Sequence, residues 1–307
     1  MVMKVGVIGL SEGNGHPFSF SAIVNGYDST KLAAAGWDPI YHYLAKRDAS
    51  EFGFEGIKVT HAWTQNAVDT NSLCEACLIP NGLADWREML GQVDAVIVAR
   101  DDEESHLQLA LPFLEYGIPV FVDKPLTTNL EQLRLFRPYL ESGLLMSCSG
   151  MRYAQELDGL RVGLTDYGEL KLIRCAVVRS WEKYGVHMLE AVIPLIGSTP
   201  HAVTALPAGH YSMAVSFDNG LLLQIDCFGD VSPIFKIDVY GSRKHAVFHV
   251  EDNFSMFRRM LWHFFRSVEE RAPAVPAVTT LTIMRILAAG RRSVQEGRSV
   301  RLDELLL

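Results

Sequence analysis

Continuous apolar runs separated by stretches of helical spacing fill the first 125 residues. Lys4 to Leu10, Ile57 to Trp63, Asp94 to Ala99 and Val120 to Asp123 read as strands. Their lack of polar alternation is the pattern of parallel strands covered on both faces. Between them, a stretch from about Phe18, then Thr70 to Leu78, then His106 to Tyr116 (closed by Gly117) have the spacing of helices. Strands alternating with helices predict a doubly wound parallel sheet.

The second half has a different rhythm. Leu170–Val178, Ala202–Ala205, Tyr211–Phe217, Leu221–Phe228, Phe235–Tyr240 and His245–His249 form a run of strands, and Asp218-Asn219-Gly220 is a hairpin signal because Asn-Gly accepts the positive φ of a tight turn. Short connections predict a mainly antiparallel sheet. Two helical stretches follow, Phe254–Glu270 and Thr279–Gln295, separated by Pro273 and Pro276. The expected organisation is an α/β domain over residues 1–125 and an α+β domain over 126–307, with the C-terminal helices free to pack back on the first domain.

Composition narrows the function classes. With 49% apolar and 21% charged residues the chain is not wholly disordered. A net charge of −8 with no strongly basic tract argues against nucleic acid and against anionic lipid as partners. No apolar run reaches the ~18 residues of a membrane span. The opening MVMKVGVIGL lacks a basic region and a cleavage site and reads as a strand rather than a signal peptide. Five cysteines, an odd number in a chain this long, suggest reduced thiols and a cytoplasmic location. Cys74-Glu75-Ala76-Cys77 has no second pair, and His187 with Glu190 is too sparse a ligand set, so no metal site is expected.

Four segments carry candidate chemistry. The loop Gly9-Leu10-Ser11-Glu12-Gly13-Asn14-Gly15-His16-Pro17 follows the first strand, where an open α/β sheet binds ligands. It is glycine-rich, but Ser11 and Asn14 stand where G-x-G-x-x-G has its second and third glycines, and Glu12 would repel a phosphate. Ser19 and Ser21 lie where they could offer hydroxyls near the helix start. The second strand ends in Thr64, Gln65 and Asn66, with no carboxylate for a ribose hydroxyl, so NAD and NADP both stay open. Val122-Asp123-Lys124-Pro125-Leu126 places Lys124 at a strand's carboxyl end, kept extended by Pro125. There it would reach a substrate oxygen, or it is a surface lysine in a turn. In Trp181–Glu190 a helix would put Lys183 and His187 on one face, with His187 suited to acid/base work.

Together the Gly loop, DAVIVA and a segment ending in His106, GIPVFVDKPLTTNLEQL, YGVHMLEAV and VQEGRSVRL resemble the Gfo/Idh/MocA family of oxidoreductases, in the family's order and over nearly the whole chain. DKP stands where the family has E-K-P, and Gly185-Val186-His187 where it has G-[VI]-H. The resemblance implies a Rossmann domain followed by an α+β domain with a large open sheet. It implies hydride transfer between NAD or NADP and a hydroxyl-bearing carbon of a sugar, cyclitol or sugar acid. Lys124 would hydrogen-bond the reacting oxygen and His187 would exchange its proton, with the substrate between the two domains. Cofactor contacts would fall on Gly9, Ser11, Gly13, Asn14, Gly15, Gln65, His106 and Lys124. Arg152 and Tyr153 resemble an Arg-aromatic pair of the family and would meet substrate. Lys183, where the family often has Asp, together with Arg179 would suit an anionic substrate. A homo-oligomer through the C-terminal sheet is also implied. The irregular Gly loop, the missing ribose-binding acid and Lys183 support an alternative, a non-catalytic ligand-binding or regulatory protein that has kept the fold.

Overall fold

The computed structural model describes residues 2–306. The chain forms two compact units: one from residues up to Leu126 with 136–147 and 257–276, the other from 127–135, 148–256 and 277 onward. Each unit is therefore assembled from separate stretches of chain.

The first unit is built on β1 (Met3–Ile8), β2 (Ile57–Trp63), β3 (Asn81–Gly82), β4 (Ala95–Val98), β5 (Val120–Val122) and β6 (Leu145–Met146). All are parallel, in the order β3-β2-β1-β4-β5-β6. This is the Rossmann order, with its switch point between β1 and β4. Val5, Val7 and Ile8 of β1 and all four residues of β4 are fully buried, which is why these strands show no polar alternation. Helices α1 (His16–Asn25), α2 (Ser29–Ala34), α3 (Asp38–Leu44), α4 (Ala67–Ala76) and α5 (Glu103–Glu115) connect them, and α6 (Leu130–Ser142) follows β5. The sequence pattern does not single out α2, α3 or α6. The first two are six and seven residues long, too short to establish a helical period.

The second unit holds α7 (Asp158–Gly163), α8 (Val186–Val192) and strands β7 (Leu170–Val177), β8 (Pro200–Ala205), β9 (Tyr211–Phe217), β10 (Leu222–Cys227), β11 (Phe235–Gly241), β12 (His245–His249) and β13 (Val300–Arg301). Their order is β12-β11-β7-β10-β9-β8-β13. The sheet is not a simple meander: β7 lies between the consecutive strands β10 and β11, and it pairs with β10 in parallel. The other neighbouring pairs are antiparallel. The Asn219-Gly220 turn forms as its sequence dictates, with Gly220 at φ +82° and its N–H donated to Phe217 O. The long helices α9 (Asn253–Glu270) and α10 (Ala277–Glu296) follow. In this unit α10 receives fully buried Trp181, whose Nε1–H donates to Leu287 O at 3.0 Å. The indole leaves no room for a Cβ at either Gly185 or Gly290.

Candidate functional site

In the first unit three strand ends converge around Asp123 and Lys124. Asp123 follows β5 and is 1% exposed. Its Oδ2 accepts from Asn14 Nδ2 at 3.1 Å and from His16 Nδ1 at 2.5 Å, and its Oδ1 accepts the Lys124 backbone N–H at 2.9 Å. Burial would push the Asp123 carboxyl up, but the His16 and Lys124 charges and their hydrogen bonds outweigh it and hold the carboxyl well below the usual carboxylate range. Lys124 is itself buried at 6% exposure, and its Nζ lies 3.9 Å from both Asp123 and Asp101. Asp101, from the loop after β4, accepts the Ser11 hydroxyl at 2.6 Å and donates its own N–H to Ser11 Oγ. Residues after β1, β4 and β5 thus meet at the carboxyl ends of the sheet around one ammonium group, and Lys124 is not a surface lysine.

The glycines of the first loop divide their work. A Cβ at Gly9 would stand 2.1 Å from Pro17, and one at Gly15 would overlap Trp37 and Ile40, so both positions are fixed by packing. Gly13, at φ +73°, has nothing within 4 Å and opens on a cleft of about 430 Å³ lined by Ser11, Trp37, Gln65 and Asp69 among others. Gln65 is committed to the loop itself, accepting the Leu10 N–H and donating to Leu10 O. The start of α1 departs from the usual anion site. His16 N–H donates to Asn14 Oδ1, Pro17 has no N–H, and Phe18 and Ser19 donate to Gly15 O. Ser19 and Ser21 are fully buried, with Ser19 Oγ accepting from Tyr43, so neither hydroxyl faces a ligand at the helix start.

His106 stands apart from the cleft. It is fully buried, and its two ring nitrogens lie 2.8 Å from Leu126 O and 2.9 Å from Arg100 O. With both nitrogens against backbone carbonyls it ties the loop after β4 to the segment carrying Lys124, and no ring nitrogen is left to reach a cofactor.

The second unit brings Ser149 and His187 together, Ser149 Oγ lying 2.6 Å from Nδ1. Residues Trp181–Gly185 form one π turn before α8 rather than a continuous α-helix, so the four-residue spacing of Lys183 and His187 does not put them on one α-helical face, and Lys183 is exposed. Arg152 is engaged by fully buried Glu190, with Nε donating at 2.6 Å. Burial pushes the Glu190 carboxyl up against the opposing pull of Arg152. Arg179 pairs with Asp230. Both arginines expected to bind substrate therefore have carboxylates of this chain as partners. Tyr153, beside Arg152, is half-buried. Tyr184 and Phe235 pack on the His187 ring, and Phe235 also lines a cleft of about 770 Å³ with Phe228, Ile234, His249 and Glu251.

Among the described residues no group of three or more His, Cys, Asp or Glu side chains is placed to hold a metal ion. Burial pushes the Cys74 thiol up to about 11 and the Cys77 thiol higher still, which disfavours the thiolate at both positions of the C-x-x-C pair. No helix among the described residues is long and apolar enough to cross a membrane. Asp69, in the first turn of α4, is the carboxylate that strand-end reading misses. It lies six residues beyond β2, and only the helix that follows turns it toward the Gly loop.

A parallel sheet of this order with a cleft beside its first loop is the arrangement of a Rossmann fold. Residues 3–137 match a family model described as an oxidoreductase family with an NAD-binding Rossmann fold, and this part of the chain belongs to that family, Gfo/Idh/MocA. NAD is accordingly its cofactor class. A search of curated protein sequences finds no match. Among solved structures, a myo-inositol 2-dehydrogenase from Lactobacillus plantarum superposes with a TM-score of 0.77 at 13% identity, covering 98% of this chain and 99% of that one. A myo-inositol dehydrogenase from Lactobacillus casei in complex with NAD(H) and myo-inositol gives 0.76 at 16% identity, covering 98% and 97%. A probable dehydrogenase from Thermotoga maritima gives 0.76 at 15% identity, covering 99% and 100%. At these identities the likeness is one of fold.

Proposed function

We propose that the protein is an NAD-dependent dehydrogenase acting on the CH–OH group of a neutral polyol, a cyclitol or sugar. The observation that carries this reading is Lys124, a buried ammonium group held at the carboxyl ends of the Rossmann strands by two carboxylates. Inositol dehydrogenases among the structural neighbours support the substrate class.

The residues present fit the cofactor. Gly13 leaves its backbone open to the 430 Å³ cleft, and Asp69 supplies a carboxylate there. Such a group accepts from a ribose diol and repels a 2′-phosphate, which favours NAD over NADP. With the donors of α1 already engaged, phosphate contact falls to the loop around Ser11 and Gly13. When bound, the cofactor supplies the hydride acceptor or donor. Lys124 donates to the reacting oxygen and stabilises its developing negative charge. His187, whose Nδ1 lies 2.6 Å from Ser149 Oγ, is the candidate that the family resemblance offers for proton exchange. Engagement of Arg179 by Asp230 and of Arg152 by Glu190 weakens the case for a sugar acid. Oligomerisation through the second unit's sheet is part of the proposal.

The test is NAD+ reduction across a panel of inositols, neutral sugars and sugar acids. Turnover with a neutral polyol, abolished in Lys124→Ala while the circular dichroism spectrum is unchanged, is the expected result. Near-normal rates in that variant would remove Lys124 from the mechanism. Turnover restricted to sugar acids would overturn the neutral-polyol assignment.

A further inference from the structure

An aromatic ring from outside the strands lines the cleft proposed for NAD. Trp37 stands between α2 and α3, in the stretch that joins α1 to β2. Its carbonyl accepts the N–H groups of Ile40 and Tyr41, so the start of α3 fixes its backbone. Its indole lies against Gly15, where a Cβ would stand 2.5 Å from the six-membered ring, and its centroid is 6.1 Å from that of Phe18. Gly15, the last glycine of the first loop, thus makes room for the indole. Half-exposed, the same indole lines the cleft beside Gly13, together with Asp69 and Ser72 of α4. The charged residues of that lining are Glu12 and Asp69, with no lysine, arginine or histidine among the described residues that form it. The N–H groups at the start of α1 are engaged within the loop. A phosphate entering here meets carboxylates and few donors, the reverse of the usual anion site at a helix N-terminus. The strand ends give the cleft a direction. Asp69 follows β2, Ser11 follows β1, Asp101 follows β4 and Lys124 follows β5, and these strands are neighbours in that order. Ser11 lines the cleft and donates to Asp101, which lies 3.9 Å from Lys124 Nζ. A dinucleotide whose nicotinamide reaches the oxygen bound by Lys124 therefore has its other end beside Asp69 and Trp37.

We infer that Trp37 is the stacking platform for the adenine of NAD, and that the cofactor is held by its adenosine half while the pyrophosphate adds little affinity. The inference rests on the NAD reading above. An indole already pinned by Gly15 and α3 offers its surface to a base with little further ordering. Asp69 is an acceptor for the ribose diol. Glu12 opposes the phosphates. A segment inserted between α1 and β2 thereby takes over the grip that a G-x-G-x-x-G loop exerts through the phosphates.

Isothermal titration of the full-length protein at low salt with adenosine, ADP, ADP-ribose and NADH tests this. Adenosine and ADP should bind the wild type within about threefold of each other. Trp37→Leu keeps apolar bulk beside Gly15 and loses the ring; it should weaken adenosine, ADP-ribose and NADH alike by about tenfold or more, whereas Trp37→Phe should stay within about threefold of wild type. Glu12→Gln should tighten ADP by about two- to fivefold and leave adenosine unchanged. Wild-type binding of ADP more than about tenfold tighter than adenosine would return the affinity to the phosphates and overturn the inference. Unchanged NADH affinity in Trp37→Leu would also overturn it, and the NAD reading would stand. Adenosine binding that depends on Trp37 in a protein that does not bind NADH would keep the platform and contradict the dinucleotide reading. A wild type that binds none of the four would end both.

Discussion

The Asp123 carboxylate gathers groups that lie 107 and 109 positions away in sequence, at His16 and Asn14. Lys124 is legible from the sequence because its meaning is local, a lysine between a strand end and a proline. His16, Asp101 and Ser149 are not, because each acquires its role from a partner on another strand or helix. Arg152 shows the converse. Its sequence context suggests a substrate contact, and the fold gives it to Glu190. The depressed Asp123 pKa has a consequence for stability. Its folded value lies below the unfolded value near 3.9, so the ionised network's contribution is fully present above about pH 4 and is lost as pH falls through the folded value. Asp123→Asn should therefore lower Tm at pH 7 and show a weaker further loss between about pH 4 and pH 2 than wild type. Equal slopes of Tm against pH for the two proteins would show that the carboxylate is not held in this way.

At the scale of elements, the buried strands of the first unit are evident in the sequence because parallel pairing removes polar alternation. The order of the second sheet is not, since hydrophobic pattern marks which residues are strand and leaves the partner of each strand open. That β7 comes between β10 and β11 depends on where residues 228–234 carry the chain. The π turn at Trp181–Gly185 is likewise invisible as a period. It depends on Trp181 reaching α10, where Gly290 lies against the indole. A methyl at Gly290 would stand 2.5 Å from Trp181 Nε1 inside a filled core. Gly290→Ala should destabilise the fold by about 1–3 kcal/mol despite alanine's better helix propensity, because overpacking outweighs it. Chemical denaturation measures this, and a midpoint at or above the wild-type value would show that the indole can shift freely.

At the scale of the whole molecule, the charge of −8 leaves small-molecule chemistry as the reading that composition, fold and family share. If the sheet of the second unit assembles copies of the chain, sedimentation should give a mass that is a multiple of 34.2 kDa. Placing a charge on that sheet by Ala214→Arg should then reduce the mass, whereas a monomeric wild type would remove the interface from the account. The central claim is that the cleft beside Gly13 and Asp69 binds NAD for hydride transfer. Trp37 lines that cleft and can report on it directly. Titration with NADH should quench tryptophan emission saturably, NADPH should bind at least about tenfold more weakly, the equivalent of ~1.4 kcal/mol, and Asp69→Asn should narrow that difference. Tryptophan emission and NADH fluorescence that both stay unchanged up to millimolar NADH would contradict the account and favour a ligand-binding protein that keeps this fold without its cofactor.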